Sequence, residues 1–288
     1  MGLIFISPWL IGLLLFNLGP ILISLVASFT DYPLLTPEQT RFIGISNYIT
    51  VLHDVDAGRT FWLTVKLALI IIPLQVIVSV FFAGLLNDQR LLMKNLMRTL
   101  FFLPSIIPAF SAALMWQGYV DPSTGWLSRI FLNPIGLGWL NNFSSWGPSQ
   151  ALFIMSSLWT IGPSILIMLG AMQGISPEVY EAARIDGAGT FTRFFKITLP
   201  LITSAIFFIL ILNLTAVLGG AILLDRGNIF SFTVSSYDGY VNAVLFRALK
   251  LGYASSLAWV FFVFAIIVVV TLFITSKRWV YFPDRETE

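Results

Sequence analysis

Six apolar runs divide this chain, at about 3–29, 61–86, 99–119, 150–172, 201–224 and 252–275. A backbone in lipid has no water to bond with, so each N–H and C=O must find its partner within the segment; a continuous apolar run achieves this as a helix. At a rise of about 1.5 Å per residue, about twenty residues cross the hydrocarbon core. The expectation is an all-α, polytopic membrane protein with six transmembrane helices. Composition agrees: 57% of residues are hydrophobic and only 10% charged, far from the balance of a soluble domain. The first run is too long for the apolar core of a signal peptide and has no basic segment ahead of it. Pro8 and Pro20 are expected to kink it, which membrane helices tolerate.

Several chemistries are excluded at this level. The 288 residues carry a net charge of only +2 with dispersed basic side chains, which offers no nucleic-acid surface. No cysteine is present, hence no disulfide, thiolate nucleophile or cysteine metal site, and the single histidine, His53, makes no histidine cluster. No Walker A pattern, Ser/His/Asp arrangement or pair of intramembrane carboxylates occurs, so no catalytic or metal-binding residue is assigned. The alternative function for such a chain is a secondary, ion-coupled transporter or a channel acting without an ATPase. Ion coupling usually needs an ionisable residue inside the membrane. No Asp or Glu falls within the six runs, and Lys66 lies near one end of its own.

The most informative polar stretch lies between the fourth and fifth runs, at about 173–200. Ser176 is placed to cap a helix, Pro177 suits its first position, and Glu178 complements the positive end of the dipole. Gly187 and Gly189 are expected to end that helix, with Gly187 in the left-handed conformation, and Thr190 to cap a second helix running toward Pro200. The small Ala182, Ala183, Gly187 and Ala188 allow another surface close to the backbone, while Phe191, Phe194 and Phe195 supply apolar knobs beside Arg193 and Lys196. This mixture reads as a docking loop.

Glu181-Ala182-Ala183, three residues, Gly187, nine residues and then Ile197-x-Leu199-Pro200 resembles the EAA loop of ABC-type importer permeases. Ile185-Asp186-Gly187-Ala188 further resembles the carbohydrate-uptake branch. The resemblance implies a type I ABC importer permease fold, one transmembrane domain over 1–288, and a loop at 173–200 that acts as the cytoplasmic coupling helix in a groove of a separate ATPase. Glu181, Ala182, Ala183, Asp186, Gly187, Ala188, Phe191, Ile197, Leu199 and Pro200 are the docking residues it implies. It also implies a bacterial or archaeal inner membrane, a second homologous permease subunit, a pair of cytoplasmic ATPase subunits that carry the ATP and Mg, and an extracytoplasmic solute-binding protein delivering a sugar or oligosaccharide. The chain itself would hold no cofactor and hydrolyse nothing.

Other stretches bear the same resemblance. Ser28-Phe-Thr-Asp-Tyr32 and Phe42-Ile-Gly-Ile-Ser-Asn-Tyr48 resemble the larger-type sugar permeases, like those for maltose and glycerol phosphate, and Arg98-Thr-Leu-Phe-Phe-Leu-Pro104 resembles the start of the transmembrane core. Gly252-Tyr-Ala-Ser-Ser-Leu-Ala258 resembles the segment that opens the last helix. The chain opens at Met1 without the basic cytoplasmic tail usual in the family. It also departs from the pattern at 225–228, where Asp225-Arg226-Gly227-Asn228 stands in place of a Gly-Gly-Pro turn.

Six spans put both termini on one side. The segment at 87–98, the docking loop and the tail carry nine Lys/Arg against six in the opposite loops, which places the docking loop and both termini in the cytoplasm. Arg90, Lys94 and Arg98 recur at helical spacing among Leu and Met, the pattern of a basic segment on membrane lipid. A short interfacial helix is expected near 126–131. Inside the spans, the polar Gln75, Asn213 and Thr215 are expected to face the bundle interior, either on the substrate pathway or in helix–helix hydrogen bonds. Trp116, Trp159 and Tyr253 offer ring faces for sugar stacking, although such aromatics also line membrane interfaces.

Overall fold

The computed structural model describes residues 2–88, 91–120, 125–136, 157–218 and 236–281. Arg90, the departure at 225–228 and the first part of the fourth run lie outside them. Packing divides the chain into two compact units, Met1–Val65 with Phe232–Ile267 and Lys66–Ser231 with Val268–Glu288.

In the first unit, the opening span Phe5–Ser28 is a helix with a π turn at Leu14–Leu18. The widened turn stands just before Pro20, whose ring would otherwise strike the carbonyl one turn back. Only 6% of this span's apolar window is buried, so its face belongs to lipid or to another chain. After Ser28 the chain forms a two-stranded antiparallel ribbon, Thr30–Asp31 with Arg41–Phe42. The two distant stretches that resemble sugar permeases meet here. Asn47 Nδ2 donates to the Ser28 and Thr30 carbonyls, both at 2.9 Å, and the Tyr48 and Ser28 hydroxyls share a 2.6 Å bond. From the other end of the chain, the Gly252 backbone lies against Thr30 and Tyr32. Within 232–267, a helix Tyr237–Phe246 interrupts what composition presents as a polar loop. Ser236 caps it by accepting from Gly239 N–H at 3.1 Å. Its Tyr237 ring stacks on Phe261 at 4.8 Å and meets Phe61 edge-on.

The second unit is built on a core of Val80, Ala83, Ile165, Met168, Met172, Ile202 and Ile209. These come from the helices Val55–Asn87, Gly162–Gln173 and Thr203–Leu218 and from the Ile202 joint ahead of the last. Phe207 receives the edges of Phe273 and Trp279, which ties the end of the last helix to this unit. The expected short helix is present as a π turn at Leu127–Leu132.

Among the described residues, three helices, Phe5–Ser28, Val55–Asn87 and Leu251–Trp279, are long and apolar enough to cross a membrane. A fourth crossing arises if the pair Thr190–Leu201 and Thr203–Leu218, bent by 62°, counts as one. The third apolar run is not one straight helix: it breaks into Lys94–Phe102, a 3-10 turn Leu103–Ile106 and Ala109–Val120. Pro104 and Pro108 remove donors at these joints. The fourth run is described only in part, with the apolar helix Gly162–Gln173. The second span starts at Val55 rather than near 61, because the Asp54 carboxylate accepts from the N–H groups of Asp56 and Ala57 and caps it.

Candidate functional site

The loop 173–200 folds as a helix, a tight turn and a second helical arm. Ser176 Oγ accepts from Glu178 N–H at 3.3 Å, and Pro177 opens the helix Pro177–Ile185. At its end, Ala188 N–H reaches the Ala183 carbonyl at 2.9 Å and Gly187 N–H the Arg184 carbonyl at 3.1 Å. That pair of bonds is a Schellman closure, and Gly187 supplies its left-handed residue with φ +77°. The second arm starts one residue earlier than expected: Gly189, extended at ψ 168°, is the cap, and Thr190 is already helical, its hydroxyl accepting from Arg193 instead. The arm then widens to a π turn at Phe194–Thr198. Tyr180 and Thr198 join the two arms through a 2.9 Å hydroxyl bond.

The ten docking candidates divide into two sets. Ala183 is buried, Ala188, Ile197 and Leu199 are half-buried, and Leu199 packs on the core, so these hold the loop in place. Glu181, Ala182, Asp186, Gly187, Phe191 and Pro200 face outward. Glu181 meets Arg184 at 4.0 Å, an exposed pair of little energetic weight. The most exposed apolar groups of the loop flank the turn: Ile185 is 86% exposed and Phe191 82%. Ile185 is absent from the residues singled out by motif for docking. An isoleucine on an amphipathic helix reads as core unless the buried face is known, and here the buried residue is Ala183.

Of the pathway candidates, Trp116 and Trp159 are brought together, ring edge to face at 5.7 Å. Gln75 Nε2 donates to the Ser157 carbonyl at 3.0 Å, yet its Oε1 is enclosed without a partner. Trp116 Nε1 and Asn213 Nδ2 are likewise enclosed and unpartnered. Thr215 is exposed and bonds back to its own helix at Ile211 and Leu212, which satisfies it locally.

Tyr253 lies in the other unit, bound to a carboxylate. Both Tyr240 and Tyr253 donate their hydroxyls to Asp54 Oδ2, while Oδ1 caps the second span. Burial raises the Asp54 carboxyl, but these two phenols and the N–H groups of Ala57 and Asp56 outweigh it and hold the group below its usual range. Burial, then the Asp54 bond, pushes the Tyr240 phenol up. Sequence inspection missed this node, although an Asp just ahead of an apolar run is a capping signal. We expect Asp54→Asn to lower the stability of the purified assembly at neutral pH by about 1 kcal/mol, allowing for solvent screening. A carboxyl more acidic folded than unfolded stabilises fully above its unfolded value, near pH ~4, and loses this as pH falls through the folded value. The gap between wild type and Asp54→Asn in thermal midpoint should therefore close below about pH 4; a gap that is unchanged on acidification contradicts the charged node.

Residues 75–282 match the family described as binding-protein-dependent transport system inner membrane component. The probable ABC transporter permease protein YesP of Bacillus subtilis is 34% identical, across 99% of this chain and 93% of that protein. The sn-glycerol-3-phosphate transport system permease protein UgpA of Shigella flexneri is also 34% identical, but the match spans 61% of this chain and only 59% of that one. Among solved structures, a bacterial ABC transporter involved in the import of the acidic polysaccharide alginate gives a TM-score of 0.76 at 22% identity, covering 94% of this chain and 93% of that one. A bacterial alginate ABC transporter in complex with an alginate pentasaccharide-bound periplasmic protein gives a TM-score of 0.75 at 21% identity, covering 95% of this chain and 93% of that one. These structures establish the fold, and the family match with the near full-length relative establishes that the chain belongs to the inner-membrane permease components of binding-protein-dependent ABC transport systems.

Proposed function

We propose that the chain is a single permease domain with six spans that forms half of the translocation pathway of an ATP-driven sugar or oligosaccharide importer. A second homologous permease would supply the other half, and an extracytoplasmic binding protein would deliver the solute. Two cytoplasmic ATPase subunits would bind the ATP and Mg and carry out hydrolysis. Both termini and the loop 173–200 face the cytoplasm in this reading. The relatives that transport glycerol phosphate and alginate support the carbohydrate class. The enclosed, unpartnered polar atoms of Gln75, Trp116 and Asn213 support a polar route or interface inside the bundle.

The observation that carries the coupling role is the pair Ile185 and Phe191, standing exposed on either side of a turn locked by backbone bonds. Large apolar groups on a rigid support are the anchors of protein interfaces, each worth about 2 kcal/mol or more when central. ATP-driven closure of the ATPase pair would move this loop as a rigid piece and tilt the helices Gly162–Gln173 and Thr203–Leu218 joined to it. Phe191→Asp and Ile185→Asp are each expected to reduce co-purified ATPase subunits by about tenfold or more, with the second permease still bound. Retention of the ATPase at the wild-type level in both variants overturns the assignment.

A further inference from the structure

We propose that Asn17, midway along the opening span, is hydrogen-bonded across a subunit interface to a polar side chain on a membrane-spanning helix of the second permease. Asn17 is exposed and has no hydrogen bond among the described residues. It stands near the middle of the 24-residue span Phe5–Ser28, so each end lies about 16 Å or more away at about 1.5 Å per residue. A side chain this short cannot reach the aqueous boundary from there, as a lysine can. Hydrocarbon offers nothing to the two donors and the acceptor of a carboxamide.

Ser24 and Ser28, on the same span, are satisfied within the chain. Ser28 Oγ donates to the Leu25 carbonyl at 2.6 Å. Ser24 Oγ donates to the Ile21 carbonyl at 2.8 Å and accepts from Trp259 Nε1 at 3.1 Å, which ties the opening span to the last helix. Toward the middle of the span the last helix does not close over the opening one. Val263 and Ile266, one and two turns beyond Trp259 on the same side of its helix, are exposed, as is Asn17. Asn17 also stands inside the π turn Leu14–Leu18, a local widening of the kind that recurs at functional positions. Lipid would suit the exposed Leu13, Phe16 and Ile21 around it but leave the amide unpaired. A helix of another chain with a hydroxyl or carboxamide at this depth suits both, since polar side chains join helices within a bilayer by such bonds. That the other chain is the second permease rests on the reading under Proposed function.

In the purified full assembly, p-benzoylphenylalanine placed at Leu13 or at Ile21, each about one turn from Asn17 and exposed, should cross-link to the second permease on illumination. Mass spectrometry of the joined peptides identifies the neighbour. Products with lipid alone, with a second copy of this chain or within this chain overturn the proposal. Asn17→Leu gives a test of opposite sign. Leucine is the more favourable residue against lipid, so a lipid-facing position would let this variant hold its partner and unfold no earlier than wild type. An interfacial hydrogen bond instead makes retention of the second permease through detergent purification fall about fivefold, with the amount of this chain in the membrane unchanged. Asn17→Gln should keep most of the partner. Undiminished retention in Asn17→Leu overturns the proposal. Where the wild-type assembly contains the second permease, these failures remove only the role of Asn17. Absence of a second permease from the wild-type assembly overturns both that role and the reading under Proposed function.

Discussion

Gly187→Val is expected to abolish coupling: ATPase retention should fall by about ten- to a hundredfold, and solute-stimulated hydrolysis should disappear with it. Gly187 holds φ +77°, and a β-carbon built on it meets nothing within 4 Å. The cost is therefore in the backbone and not in a collision. A β-branched residue in the left-handed region is strained by about 1–3 kcal/mol, and the turn can relieve this by giving up its bonds from Gly187 and Ala188. Ile185 and Phe191 would then lose their fixed spacing while Ala183, Tyr180 and Leu199 still hold each arm to the body. Gly187→Asn is the control, because asparagine tolerates this conformation and should keep most of the coupling. If the valine variant retains the ATPase and couples hydrolysis to uptake normally, this loop is not the transmission.

The loop 173–200 was legible because its determinants are local. Ser176, Pro177 and Gly187 each impose one backbone state on their immediate neighbours, and the structure has all three as read. Thr190 was misread by one residue because Gly189 and Thr190 are both acceptable caps, and only the extended ψ of Gly189 decides between them. Ile185 was missed because exposure depends on which face the rest of the molecule covers. The proline breaks of the third run follow from residues in plain view, yet apolarity alone joins 99–119 into one span. Hydropathy measures where a segment is stable and not whether its axis is straight.

The contacts of the first unit lay beyond local reading. Asn47 and Tyr48 had meaning only as a motif until the Ser28 and Thr30 carbonyls appeared opposite them. Asp54 is joined to Tyr240 and Tyr253 across 186 and 199 residues of sequence, a separation at which periodicity carries no signal. The pathway candidates show the same limit from the other side. Polar residues in an apolar run can be found by inspection, but the satisfied Thr215 and the unpartnered Asn213 look alike until their neighbours are known.

Gly252→Ala is expected to damage the first unit more than any other single methyl addition. A β-carbon at Gly252 would stand 2.0 Å from the Thr30 carbonyl oxygen, 3.0 Å from Tyr32 N and 3.1 Å from the Ala27 oxygen. All three are backbone atoms, so no side chain can swing away. The surroundings are pinned as well: Leu251 N–H donates to the Tyr32 carbonyl at 3.0 Å and Leu34 N–H to the Leu249 carbonyl at 2.8 Å. Relief requires the start of the last helix to move off the ribbon, which breaks these bonds and exposes their partners. Overpacking of this kind costs about 3 kcal/mol or more, enough to take a marginally stable membrane domain below its folding threshold. The comparison is Gly118→Ala, at a helical glycine with nothing within 4 Å, where the added methyl should be neutral or stabilise by about 0.5–1 kcal/mol. Thermal unfolding of the two purified assemblies, side by side, is the measurement. A Gly252→Ala midpoint that matches wild type and Gly118→Ala means that the last helix does not press on Thr30 in the folded protein.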